Sequence, residues 1–153
     1  YPYPLWSRGL GDVYKRQSVQ RTLVQLICRG VASKHPNLKF VVSEFNGGWI
    51  GHWLDRVDQG MAREARFKGE EPTGEPPAEV WKRQFYCTIE DDRPAILTRE
   101  LIGVENLMWG SDYPHVDSTW PCSLDVLDEI FDGVSELDRN KITNENVKAL
   151  YRI

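Results

Sequence analysis

The sequence contains no Cys-x-x-Cys pair, no apolar run long enough to cross a bilayer, no cluster of Lys and Arg, and no glycine-rich phosphate loop. Each absence closes a class of function. The three cysteines, Cys28, Cys87 and Cys122, are odd in number and widely spaced, which excludes a disulfide framework or a zinc knuckle. They are expected to be buried thiols of a reducing compartment, which places the protein in the cytoplasm. Apolar stretches such as Leu23-Val24-Gln25-Leu26-Ile27-Cys28 fall far short of a membrane span, so no membrane partner is expected. A net charge of −4 without a basic patch argues against a nucleic-acid surface. Neither G-x-G-x-x-G nor a Walker loop follows any apolar run, which weakens nucleotide binding. What is present, 41% hydrophobic and 27% charged over 153 residues, is the composition of one ordinary globular domain.

The first stretch stands apart. Tyr1-Pro2-Tyr3-Pro4-Leu5-Trp6 shows no helical or strand period, and Ser7 to Gln17 reads like a translated sequencing adapter. Residues 1–17 are therefore expected to be a foreign tail and residues 18–153 a partial domain. Setting the tail aside removes Arg8, Lys15, Arg16 and Asp12, three cations and one anion, which takes the net charge from −4 to −6. An adapter junction also implies that the natural protein began upstream.

From Ser18 the chain alternates between two periods. Val19, Leu23, Leu26, Ile27 and Val31 recur at helical spacing up to Lys34-His35-Pro36-Asn37. Leu38 to Val42 is a short apolar, β-branched run suited to a buried parallel strand. Gly47-Gly48 permits a tight turn into a helix carrying Trp49, Ile50, Trp53, Leu54 and Val57 on one face, and the polar segment from Lys68 to Pro77 reads as a loop. Phe85 to Ile89 is a second strand, followed by a helix that Pro94 opens. Asn106 to Gly110 is a third strand. A helix over Leu124 to Phe131 follows, then a last one from Ser135 as N-cap to Leu150. Alternating β and α units imply a parallel sheet, and both a doubly wound sheet and a (β/α) barrel satisfy the pattern.

In either architecture ligands gather at the carboxyl ends of the strands. Those ends carry Ser43-Glu44, Glu90-Asp91-Asp92 and Ser111-Asp112. Converging carboxylates would suit a divalent metal, although acidic residues also end strands as turn-formers and helix caps. His35, at a helix end, and His52, on a helix face, are weaker candidates than either.

Gly110-Ser111-Asp112-Tyr113-Pro114-His115 after an apolar strand, with His35 to Val42 before it and Asn144 to Ile153 at the end, resembles the amidohydrolase-related family. This family comprises metal-dependent hydrolases and decarboxylases of the aminocarboxymuconate-semialdehyde decarboxylase type. The resemblance implies an α/β fold, with Ser18–Ile153 as the C-terminal part, the last three βα units, of a TIM-type (β/α)8 barrel. It further implies one divalent metal, zinc first with manganese or iron as alternatives, bound by a His-x-His pair, a later His and a final-strand Asp. Only that Asp has a counterpart here, Asp112. In the family such a carboxylate binds the metal and orients or deprotonates its water.

His115 would line the substrate site or bond to the ligand shell. Family decarboxylases carry His-Gly-Gly where this chain has Glu44-Phe45-Asn46-Gly47-Gly48, so Glu44 is expected to act in the pocket as an acid/base group or metal contact. That departure puts hydrolysis ahead of decarboxylation. The expected partner is a small-molecule substrate, with a homodimer consistent with the family. A non-catalytic α/β binding module is the reading from another class. Three strands of eight would leave two sheet edges and a sliced core exposed, so this segment alone is expected to be inactive.

Overall fold

The computed structural model describes the backbone of residues 5–71 and 74–153, with side chains from Arg16 onward. Helix α1 (Leu5–Cys28) and the short α2 (Val31–Lys34) lead into strand β1 (Phe40–Val42). Helices α3 (Ile50–Lys68) and α4 (Pro77–Gln84) precede β2 (Phe85–Ile89). Then come α5 (Arg93–Leu97), α6 (Arg99–Ile102), a 3-10 turn (Val104–Asn106) and β3 (Leu107–Trp109). The chain closes with α7 (Ser123–Ile130), α8 (Glu136–Asn140), a π turn (Lys141–Glu145) and α9 (Asn146–Tyr151). Of the segment expected to be foreign, residues 1–4 lie outside the described residues. From Leu5 the backbone is helical despite the missing apolar period, because α1 extends a helix whose anchors, Leu23 and Ile27, are buried further along.

The three strands form one parallel sheet in the order β1-β2-β3, with Phe40 opposite Phe85 and Cys87 opposite Leu107. Alternation decides what each face meets. Phe85, Cys87 and Ile89 point to the helices and are fully buried, as are Val80 and Trp81 of α4 and Ile50 of α3. The opposite face carries Val41, 38% exposed, the half-buried Tyr86 and Thr88, and the buried Met108. A doubly wound sheet covers both faces with helices, whereas the wall of a (β/α) barrel is helix-covered on one side only. The one-sided cover here matches part of an amidohydrolase barrel.

Three buried amide side chains tie down the approaches to the strands. Gln84 Nε2 donates to the carbonyls of Ala32, His35 and Leu38 ahead of β1, at 2.9–3.1 Å. Asn106 Nδ2 donates to Lys82 and Phe85 at the start of β2, and Asn146 Nδ2 to Val104 and Leu107 at the start of β3. Each amide thereby joins two or three backbone carbonyls of a helix-to-strand junction, some of which, such as those of Ala32 and His35, also accept a turn N–H.

Ser135 caps α8 by accepting from the Asp138 amide at 3.1 Å, as its position predicts. The cysteines differ from expectation: Cys87 is buried, with its thiol pushed up by that burial, Cys28 is half-buried, and Cys122 is exposed. Cys122 sits at the N-terminal end of α7, which projects out of the core, so it meets water. Among the described residues no helix is long and apolar enough to cross a membrane.

Candidate active site

At the carboxyl end of the sheet, Glu44, Phe45, Asn46, Glu90, Asp91, Asp112, His115 and Asp117 line one open pocket together with Arg16. The three residues singled out from the sequence, Glu44, Asp112 and His115, thus share a single cavity. Arg16 comes from the stretch set aside as foreign. Residues 18–153 contribute five carboxylates to this lining, Glu44, Glu90, Asp91, Asp112 and Asp117, beside His115, Phe45 and Asn46.

Asp112 stands three residues beyond β3 with φ +56, in the left-handed region that a short polar side chain tolerates best. Its Oδ2 lies 3.1 Å from His115 Nδ1, and its carbonyl accepts from the His115 amide at 2.8 Å. The ring is therefore oriented by the carboxylate as well as by the turn. Ser118 Oγ donates to the Ser111 carbonyl at 2.6 Å and closes the loop that follows. Tyr113 and Trp120 pair edge to face, with centroids 5.8 Å apart, on the solvent side of this loop.

Glu44 and Asn46 follow β1, and both also adopt positive φ, +64 and +52. Three of the four non-glycine residues with positive φ among the described residues therefore belong to the pocket lining. Backbone conformations of this kind persist where surrounding contacts enforce them, and they gather at functional sites. Here the contacts are explicit. The Glu44 amide donates to Thr88 Oγ1 at 3.2 Å, Asn46 Oδ1 accepts from the Glu90 amide at 3.1 Å, and Trp49 Nε1 donates to the carbonyls of Phe45 and Asn46.

Glu90, first of the acidic triplet, faces the pocket, and Trp109 Nε1 holds its carbonyl at 2.9 Å. Burial, then the charges of Asp112, Asp91 and Asp117, hold its carboxyl up at about 7 against an ordinary 4.5, and His115 offsets part of this. Asp92, last of the triplet, is buried and turns away from the pocket. The sequence could not say which member of Glu90-Asp91-Asp92 would cap α5 and which would face the cavity. Asn46 and Asp117 escaped notice altogether, because a loop amide and a loop carboxylate carry no local signal.

The position of Glu90 has a consequence for stability. An unfolded chain gives up this proton near pH 4.5, while the folded chain holds it to about pH 7. Across that window the folded state binds more protons, so stability falls as pH rises through it and stays lower above it. Replacing Glu90 with glutamine in metal-free protein is expected to raise the melting temperature at pH 8 and to change it less at pH 5. A pair of thermal melts at those two pH values checks this; an equal change at both would contradict it.

Among the described residues no group of three or more His, Cys, Asp or Glu side chains is arranged to hold a metal ion. These residues do not by themselves fit a complete metal site.

The family model described as amidohydrolase matches residues 9–153. No curated protein matches the chain in sequence. Among solved structures, an amidohydrolase from Mycobacterium avium subsp. paratuberculosis K-10 is similar at 26% identity with a TM-score of 0.68, over 88% of this chain and 33% of that one. The 5-carboxyvanillate decarboxylase LigW from Sphingomonas paucimobilis is similar at 26% identity with a TM-score of 0.69, over 85% of this chain and 38% of that one. A dihydroxybenzoic acid decarboxylase from Polaromonas sp. JS666, with bound manganese and 2-nitroresorcinol, shares the fold at 22% identity with a TM-score of 0.70, over 89% of this chain and 40% of that one. The chain spans 33–40% of the length of these three relatives. The chain belongs to the amidohydrolase family.

Proposed function

We propose that this chain is part of a metal-dependent hydrolase of small molecules, with Asp112 as its carboxylate toward a divalent cation. The cation is zinc or, as in the Polaromonas neighbour, manganese, with iron as a further alternative, and its remaining ligands come from strands outside this segment. One observation carries the reading: the strand-end Asp112 is bonded to His115 and shares a pocket with Glu44 and Glu90. A bound divalent cation supplies Lewis acidity and lowers the pKa of water. The chain's own groups supply proton handling. Asp112 keeps the His115 ring oriented, and Glu90, in the same pocket, is the carboxyl placed to hold or release a proton beside them.

Decarboxylation is the second reading, favoured by the likeness to LigW at 26% identity. Against it stands Glu44 at the end of β1, where the resemblance to family decarboxylases calls for histidine. The foreign origin of Tyr1–Gln17, the cytoplasmic location suggested by three free cysteines and the inactivity of the 18–153 segment alone belong to the same proposal.

The test is an assay of the full-length protein, stripped of metal and then reloaded with zinc or manganese, against neutral amides, esters and lactones and against hydroxybenzoates. Metal-restored hydrolysis is expected. Carbon dioxide release without hydrolysis would move the protein to the second reading, and metal binding without turnover of either class would favour a binding module.

A further inference from the structure

Asp92 lies in the same acidic triplet as Glu90, yet its side chain does something else. Its Oδ2 accepts from the Gly47 amide at 2.6 Å and from the Gly48 amide at 2.7 Å, while its Oδ1 accepts from the Ala95 amide at 3.1 Å. The residue is 8% exposed, so these charge-assisted bonds form away from water, where they are strongest. The Ala95 bond is an N-cap and would need only one oxygen. The two glycine bonds are surplus to capping, and they reach 44–45 residues back along the chain to the loop after β1.

That loop is shaped to receive them. A Cβ at Gly48 would sit 2.7 Å from Asp92 Oδ1 and 2.7 Å from Pro94 Cβ, and one at Gly47 would sit 3.1 Å from Cys87 Sγ. Only glycine lets the backbone come this close. The residues just before, Glu44 and Asn46, hold positive φ and face the pocket, and Asn46 hands the connection on to the Glu90 amide.

We propose that Asp92 is a positioning residue for the pocket: by binding the Gly47 and Gly48 amides it fixes Glu44 and Asn46 at the pocket wall. Its kinetic consequence rests on the enzyme reading above; the anchoring does not.

Asp92→Ser in the full-length protein separates positioning from capping. Serine is as good an N-cap as aspartate but has a single, shorter oxygen that cannot also serve both glycines. Residue-resolved hydrogen exchange is expected to quicken by about tenfold or more at Gly47, Gly48 and Glu90, with Ala95 still protected. On whichever substrate the protein turns over, kcat/KM is expected to fall roughly 10- to 100-fold. Unchanged exchange at Gly47, Gly48 and Glu90 would overturn the inference, and so would quickened exchange with unchanged kcat/KM.

A wild-type protein that turns over nothing would defeat the enzyme reading alone, leaving the exchange measurement to decide the anchor. Should the serine variant not fold, Asp92→Asn gives the same exchange test, since a neutral acceptor binds the glycine amides more weakly; wild-type exchange at Gly47 and Gly48 in that variant would overturn the anchor.

Discussion

Replacing Asp112 with asparagine is expected to lower kcat of the full-length enzyme by about 10²–10⁴-fold and to lower its bound metal per chain. Asparagine is the variant of choice because position 112 has φ +56. Asn enters the left-handed region nearly as readily as Asp, whereas a residue with a plain Cβ such as Ala meets a cost of about 1–2 kcal/mol there. The substitution therefore removes the charge and leaves the turn. Three consequences follow from that one charge. The His115 ring loses the carboxylate 3.1 Å from its Nδ1. In metal-free protein Glu90 loses the largest of the neighbouring charges that hold its proton, so its titration there shifts down from about 7. On the proposed metal-dependent reading, the cation also loses a carboxylate ligand. Metal analysis, steady-state kinetics and a carbon-detected titration of Glu90 read the three separately. Metal stoichiometry and kcat both at wild-type level would remove Asp112 from the site. A downward shift of Glu90 alone would show that the pocket charges are coupled without a metal role.

How far the sequence anticipates this site depends on which interactions are local. The three strands are legible because each is a short apolar run with turn-forming residues after it. β1 is shorter than its pattern, Phe40–Val42 instead of Leu38–Val42, because the Leu38 carbonyl is taken by the Gln84 amide and not by a neighbouring strand. Helix α4 goes unread after the polar, proline-rich stretch, with which it shares only Pro77. Its signals were there: Pro77 at the first helical position, Glu79 in the first turn, and Val80, Trp81 and Gln84 buried on one face. The π turn at Lys141–Glu145 inside the last helical stretch has no such signal. In the pocket, strand ends and family resemblance point to Glu44, Asp112 and His115. The division of labour between Glu90 and Asp92 is settled by contacts 44 and 45 residues away, at Asn46, Gly47 and Gly48, which no local period encodes.

Trp81→Ala is expected to be the most damaging single change to the fold, about 3–5 kcal/mol by the usual cost of truncating a buried tryptophan. Trp81 is fully buried and stacks on Phe85 at 5.5 Å, which in turn stacks on Phe40 at 4.7 Å. This aromatic column runs from α4 through β2 to β1, near the strand starts and away from the pocket. Its indole Nε1 also donates to the Ile102 carbonyl at 3.0 Å, tying α4 to the end of α6. Alanine therefore leaves both a cavity and an unpaired buried carbonyl. A domain is held by only about 5–15 kcal/mol in total, so this loss is a large fraction of it. Trp81→Phe keeps most of the stack and loses the hydrogen bond, which separates the two contributions; a cost of about 1–3 kcal/mol is expected for it. Urea unfolding followed by far-ultraviolet circular dichroism measures both variants. In barrels of this kind the strand starts carry stability and the strand ends carry chemistry. Trp81→Phe should accordingly lower the unfolding midpoint while leaving the metal content of the proposed site unchanged, and a phenylalanine variant that loses metal without losing stability would break that division.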